Sequence, residues 1–228
     1  MNNKKWSDNI LKKIDPSFRH RWDVYNDIIV SSLDSQTVWV DCGCGNNEMV
    51  NTYGEKAKIA IGIDIIDNEI KNNFIKADIK NLPLPSDFAN LVTLRFVVEH
   101  FKNVEENFLE LKRILKPNGQ IIILTTNLLS PLIFLPRLLL PYSIKSKILE
   151  KTFKVREIEI FPTYHKLNTP KFYIRNPFGL QMKKCLFISD LNYTRKFIFL
   201  LLLGWHMLTK IKLFKKFRTN ILVILEKV

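Results

Sequence analysis

Asp41, Gly43, Gly45 and Asp64 are the residues whose types and spacing point most directly to chemistry. The apolar run Val38-Trp39-Val40 ends in Asp41 and breaks at once into Cys42-Gly43-Cys44-Gly45-Asn46-Asn47. Glycines in such a turn let the backbone bend sharply and approach a ligand where a Cβ would collide with it. A second apolar run, Ile59-Ala60-Ile61-Gly62-Ile63, ends in Asp64, nineteen residues beyond Gly45. An acid at that distance, on the tip of a neighbouring parallel strand, can accept hydrogen bonds from both hydroxyls of a ribose. The spacing predicts a nucleoside site on a doubly wound sheet.

The kind of nucleoside follows from the charges. A dinucleotide fingerprint, G-x-G-x-x-G, turns a helix N-terminus toward a pyrophosphate. Here the third glycine position holds Glu48, which repels phosphate. An acid before the turn (Asp41) and another after it (Glu48) suit a cofactor with positive charge and no phosphate. S-adenosylmethionine, with its sulfonium and ammonium, has that chemistry.

The stretch resembles the acid-x-G-x-G-x-G loop of class I S-adenosylmethionine-dependent methyltransferases, with Asn47 in place of the third glycine. Asn tolerates left-handed backbone better than other non-glycine residues. The resemblance continues in order along the chain. Phe74-Ile75-Lys76-Ala77-Asp78-Ile79 is similar to the family's third strand, whose terminal Asp reaches the adenine amino group. Leu82-Pro83-Leu84-Pro85 and Asn90-Leu91-Val92-Thr93 resemble the following loop and fourth strand, with Asn90 where the family usually has Asp. Val98-Glu99-His100 matches the Leu-Glu-His that follows that strand in the small-molecule branch, and residues 108–120 resemble the next helix, turn and start of strand five. The likeness covers residues 36–126, about two-fifths of the chain. It implies S-adenosylmethionine as cofactor, no metal, and a cofactor-binding set of Asp41, Gly43, Cys44, Gly45, Asp64, Ile65, Asp78, Ile79 and Arg95.

Methyl transfer is an in-line displacement, and an oxygen nucleophile often needs a base for its proton. His100, just after the fourth strand, is the first candidate base, against the plainer reading that it caps or packs at a helix start. Tyr164 and His165 are the second candidates. They precede Asn168-Thr169-Pro170, a helix-start signature with Pro at the first position, in a stretch resembling the family's closing loop. His20 and His206 read as structural.

These residues need elements to hold them. Strand and helix alternate through residues 37–126, which implies right-handed crossovers and a parallel sheet. The expected fold is α/β: a Rossmann-like doubly wound, mostly parallel seven-stranded sheet with helices on both faces and an apolar, basic C-terminal elaboration. Residues 1–35 form an N-terminal helical substrate-side segment, split at Asp15-Pro16-Ser17, with Trp22, Tyr25, Ile28, Ile29 and Leu33 as an apolar stripe. Residues 36–128 form the cofactor-binding core. Residues 129–228 carry the elaboration and the last strands, ending in Ile221-Leu222-Val223-Ile224-Leu225. Strand five is expected at Ile121 to Thr125, after a stop at Pro117-Asn118-Gly119.

Charge divides the chain at the same place. Residues 1–128 hold 16 Lys+Arg against 17 Asp+Glu, whereas residues 129–228 hold 19 against 5, so the net +13 lies wholly outside the core. A basic run is usually a solvated face. Here it adjoins the longest apolar stretches. Residues 128–142 are apolar but broken by Pro131, Pro136 and Pro141, which forbid one long straight helix, and are followed by Lys145, Lys147 and Lys151. Phe197 to Leu208 is a twelve-residue apolar run flanked by Arg195-Lys196 and by Lys210, Lys212, Lys215, Lys216 and Arg218. Such a run is too short to span a bilayer and suits an interfacial helix.

Three cysteines form no disulfide framework, and the N-terminus lacks a signal peptide's apolar core, so a cytoplasmic protein, either free or peripheral on the inner membrane face, is expected. The expected function is S-adenosylmethionine-dependent O-methylation, with carbon as the alternative acceptor atom. The acceptor is a lipid-linked or amphipathic small molecule, such as a glycolipid or polysaccharide precursor or a prenylated quinone, met at an anionic membrane surface. The rivals are an RNA methyltransferase and a non-catalytic cofactor-binding scaffold. Against nucleic acid, strand four lacks an Asn/Asp-Pro-Pro-aromatic motif, and the basic residues alternate with aliphatic runs rather than exposed aromatics.

Overall fold

β-Branched runs pack well on a pleated surface covered on both faces, and here they assemble one sheet. A computed structural model describes residues 2–66, 72–139, 162–175, 177–191 and 195–228. Its strands are β1 (Val38–Cys42), β2 (Ile59–Asp64), β3 (Phe74–Lys76), β4 (Ala89–Arg95), β5 (Leu115–Thr126), β6 (Leu180–Ile188) and β7 (Asn220–Lys227). They lie in the order β3-β2-β1-β4-β5-β7-β6. Pairing is parallel from β3 through β5. The sheet is therefore the mostly parallel, Rossmann-like one expected. Every residue of β1 is buried. The chain moves outward from β1 through β2 and β3, then returns to β4 on the other side. The crevice beyond the carboxyl ends of β1 and β4 is where open α/β sheets bind ligands.

The helices are α1 (Asn2–Ile14), α2 (Arg21–Ser31), α3 (Glu48–Tyr53), α4 (Val104–Ile114), α5 (Pro131–Leu139), α6 (Pro170–Ile174) and α7 (Lys196–Leu208). In α4 the sequence shows why a helix forms and stops. Asn103 caps it, Glu105 and Glu106 occupy the first turn, and Lys112 and Arg113 the last, which complements the helix dipole. Arg113 then fastens the loop before β4. It donates to the carbonyls of Leu82 and Leu84 while forked onto Glu110, whose carboxylate accepts the Leu82 N–H at 2.7 Å.

Several boundaries differ from expectation. β3 stops at Lys76, so Asp78 and Ile79 lie in the turn beyond it. β5 begins at Leu115, and Pro117-Asn118-Gly119 is absorbed as an irregularity: the register jumps from Ala89↔Leu115 to Leu91↔Gln120. Proline cannot donate to a ladder, so a bulge is where a strand tolerates it. The last strand of the chain, β7, lies between β5 and β6. In α2 only Tyr25 and Ile29 of the expected stripe are fully buried, and Leu33 falls past the helix end. α5 runs through Pro136 as one short helix, while Pro141, Tyr142, Lys145, Lys147 and Lys151 lie outside the described residues.

The chain divides into two compact units. The larger, residues 25–126, 163–186 and 221–228, holds most of the sheet with α3, α4 and α6. The smaller takes residues 1–24, 127–162 and 187–220. Within it Leu11, Leu191, Phe199 and Leu203 form a buried cluster against which Trp6, Ile10, Phe18 and Leu202 pack. Beside this cluster His206 Nε2 lies 2.8 Å from Asp15 Oδ2, and Lys210 Nζ lies 3.0 Å from the same oxygen. Burial works against the Asp15 charge, yet hydrogen bonds from His206, Ser17 and Lys210 hold its carboxyl well below the usual range. His20 Nε2 and Arg21 Nη1 grip Asp190 at 3.1 and 2.8 Å. His206 and His20 thus bind elements of this unit to one another.

Candidate active site

The glycine turn closes because its own backbone demands it. Gly43 and Gly45 adopt φ of +74° and +55°, the left-handed region that a Cβ disfavours. At Gly43 a Cβ would meet Val97 Cγ2 at 2.2 Å, whereas at Gly45 it would meet nothing within 4 Å. Gly43 is therefore fixed by packing, and Gly45 faces open space. The N–H groups of Gly43 and Cys44 donate to the Ile63 carbonyl at 2.7 and 3.1 Å, and Gly45 N–H donates to Asp64 Oδ2 at 2.8 Å. The other oxygen, Asp64 Oδ1, accepts from Ile66 N–H at 3.0 Å. The β1 turn and the β2 tip thus form one hydrogen-bonded corner, with Ile65 exposed beside it.

Asn47 occupies the place of the third glycine and takes the left-handed conformation itself, with φ of 56°. Its buried side chain donates to the carbonyls of Asn72 and Asn73 at 3.2 and 3.3 Å. It also fills the space above Gly62, where a Cβ would stand 1.9 Å from Asn47 Oδ1.

Beneath the turn lies a buried polar chain. Trp39 Nε1 donates to Thr93 Oγ1 at 2.9 Å, and Thr93 Oγ1 donates to Asp41 Oδ1 at 2.6 Å. Asp41 and Thr93 are register partners on adjacent parallel strands. Burial pushes the Asp41 carboxyl up to about 6; the Thr93 hydrogen bond and the Arg95 charge oppose that rise, and Asp64 adds to it. The Cys44 thiol is pushed up to about 12 by burial and by the same two acids. It fills the loop as a small, unreactive group. Asp78 lies past β3, where its Oδ1 accepts the Lys80 N–H at 3.0 Å, while Ile79 beside it is buried.

Past β4, Val98-Glu99-His100 forms a single 3-10 turn, with His100 N–H bonded to the Val97 carbonyl at 2.9 Å. The Glu99 carbonyl accepts from both Tyr164 N–H, at 2.7 Å, and His165 N–H, at 3.1 Å. His100, Tyr164 and His165, distant in sequence, are brought to one turn. The Glu99 side chain points into the core, where it accepts from Thr125 Oγ1 at 2.7 Å, and Asn168 Nδ2 donates to Thr125 Oγ1 at 2.8 Å. This buried network fixes the 163–168 segment against β5.

Residues 40–123 match the family model described as a methyltransferase domain. That matched stretch, somewhat more than a third of the chain, runs from β1 into β5 and is similar to a methyltransferase domain. No curated protein matches the sequence. Among solved structures, an S-adenosylmethionine-dependent methyltransferase from Archaeoglobus fulgidus is similar at 17% identity and TM-score 0.54, over 89% of this chain and 94% of that one. One from Mesorhizobium loti is 15% identical with TM-score 0.53, over 88% and 96% of the two chains. The geranyl diphosphate C-methyltransferase of Streptomyces coelicolor A3(2) is 13% identical with TM-score 0.55, over 90% of this chain and 79% of its own.

The residues of this corner fit S-adenosylmethionine, the cofactor that the likeness implies. Open space at Gly45 leaves room for a ligand, Asp64 stands at the strand tip, and Asp41 is a buried acid whose charge a nearby cation would stabilise. Thr93, absent from the expected set, is the residue that holds Asp41. Its signal was present in the sequence, as a polar residue inside an apolar strand. Asn90, the departure from the family pattern, sits at the opposite end of β4 from Arg95. There its Oδ1 accepts from Val38 N–H and Lys116 Nζ at 2.9 and 3.2 Å. That substitution serves the sheet and is remote from the cofactor corner.

Proposed function

We propose that this methyltransferase domain methylates an oxygen of a lipid-linked or amphipathic small molecule, with His100 as the base. The observation that carries the catalytic part is the shared Glu99 carbonyl, which sets Tyr164 and His165 beside His100 at the carboxyl end of β4. The cofactor supplies a methyl group on a positively charged sulfur, so it needs no further activation by the protein. The protein's task is then to bind, orient and deprotonate. Asp64 would hold the ribose hydroxyls, with Gly43, Cys44, Gly45 and Ile65 shaping the corner around the nucleoside. Asp78 and Ile79 would meet the adenine, and Asp41 with Arg95 would balance charge at the methionine end. His100 would take the acceptor hydroxyl's proton as its oxygen bonds to the methyl carbon, and the carbon–sulfur bond's electrons would remain on sulfur. Tyr164, 36% exposed on its loop, would orient the acceptor, with His165 as the alternative base.

The amphipathic acceptor class is supported by the surplus of basic residues after 128, set among apolar side chains, and by the exposure of Leu138, Phe197 and Leu213. The solved C-methyltransferase of similar fold is described in complex with geranyl diphosphate, an apolar chain on an anionic head. The test is to incubate the protein with methyl-labelled S-adenosylmethionine and an extract of membrane lipids and lipid-linked glycans. Label should enter the organic-phase products. His100→Ala should lower that turnover by about 10²- to 10⁴-fold with cofactor affinity unchanged. Wild-type turnover in the variant would shift the base to His165, and labelling confined to RNA would overturn the acceptor class.

A further inference from the structure

The smaller unit carries an apolar surface that its own core leaves uncovered. α7 is apolar on both sides. Phe199, Leu203 and His206 face inward, and Phe199 and Leu203 join the cluster around Leu11. Phe197, Leu200, Leu201 and Leu208 recur at helical spacing on the opposite face, with relative exposures of 75%, 49%, 48% and 41%. A helix on a solvated surface places polar residues there, and this one places none between Lys196 and Leu208. The surface continues past the helix, where Ile211 and Leu213 are 54% and 71% exposed among Lys212, Lys215 and Lys216. Asn127 ties a second apolar helix to that basic turn. Its Nδ2 donates to the carbonyls of Lys216 and Arg218 at 2.9 and 2.7 Å, just before α5 begins at Pro131. α5 has no buried residue, and Phe134, Leu135, Leu138 and Leu139 are all exposed.

We infer that the outer face of α7, with the 211–216 turn and α5, is a docking surface for an anionic lipid bilayer. Exposed leucines and phenylalanines beside lysines match acyl chains beneath negatively charged headgroups. Trp205, whose Nε1 donates to the Phe217 carbonyl at 3.1 Å, lies between the inward and outward faces of α7, as an interfacial aromatic does. Among the described residues no helix is long and apolar enough to cross a membrane, so the contact is a shallow one. Lys210, though flanking the helix, is engaged by the buried Asp15 and serves the fold rather than the headgroups. The inference draws on the amphipathic acceptor reading for its purpose, since docking would bring the enzyme to a substrate anchored in the same bilayer.

Co-sedimentation with phosphatidylcholine vesicles, with and without phosphatidylglycerol, tests it on the full chain. Binding to the anionic vesicles should exceed binding to the neutral ones. It should fall at least about tenfold in Leu200→Asp/Leu201→Asp, and likewise in Lys212→Ser/Lys215→Ser/Lys216→Ser. Both variants alter exposed side chains, and unchanged affinity for S-adenosylhomocysteine would show them folded, separating this inference from the methyltransferase reading. Failure to pellet, or pelleting that both variants leave intact, would overturn it. So would a stable dimer in sedimentation velocity that the leucine variant dissolves without vesicle binding, or retention of RNA in place of vesicles.

Discussion

The Asp41 carboxylate is buried to 3% exposure, with Thr93 as its hydrogen-bond donor. Burial disfavours its charge and pushes its carboxyl up to about 6 in the folded chain, against 3.8 for an ordinary aspartate. The folded state therefore holds more protons than the unfolded state between those two values. Stability falls as pH rises through that window and levels off above it, at a cost on the order of 3 kcal/mol by pH 7. Asp41→Asn keeps an oxygen to accept from Thr93 and removes the charge. The variant should be more stable than wild type in urea at pH 7, by up to about 3 kcal/mol, with the advantage vanishing near pH 4. Its affinity for S-adenosylmethionine should drop, because the bound cation then lacks the buried charge that it would pair with. Equal stability of the two proteins at both pH values would show that Asp41 carries no such burden. The acid and its spacing from Gly43 and Gly45 were legible in the sequence. The burial that raises its pKa was not, because it depends on Trp39 and Thr93 packing across two strands.

At the scale of elements, the β1 turn and β2 are coupled through Asn47 and Gly62. Asn47 is buried and held by the Asn72 and Asn73 carbonyls, so its side chain has little room to yield. Gly62→Ala would place a methyl group 1.9 Å from Asn47 Oδ1. Such overpacking should destabilise the protein by about 1–3 kcal/mol in urea unfolding, and Asn47→Gly in the same chain should recover part of that loss. An additive double variant would contradict the coupling. The sequence showed Asn47 only as a tolerated replacement for glycine, since its partners are carbonyls twenty-five and twenty-six residues away. Other elements divide in the same way. Helix α4 rests on local signals, the Asn103 cap and the acidic-to-basic charge order, which any sequence displays directly. The bulge at the start of β5 was not, because a proline-glycine stop looks alike whether the chain leaves the sheet or kinks within it. The apolar run 197–208 showed its length and its basic flanks, while the division into a buried and an exposed face emerges only with α1 packed against it.

For the whole molecule, the ordered motifs of residues 36–126 were enough to read a doubly wound sheet and its cofactor corner, because βαβ connections have one hand and place successive strand tips together. They were silent on β7 lying between β5 and β6, which depends on contacts between chain segments nearly a hundred residues apart. They also gave no sign that one carbonyl, that of Glu99, joins the two candidate catalytic stretches. Asp64 is the residue through which this corner is proposed to hold S-adenosylmethionine. Isothermal titration of the full chain with S-adenosylhomocysteine tests it most directly. Saturable one-to-one binding is expected, weakened roughly ten- to a hundredfold by Asp64→Ala, the loss of hydrogen bonds to a charged group being worth about 1.5–3 kcal/mol. Affinity left unchanged by the substitution, or no binding to the wild-type chain at all, would contradict it.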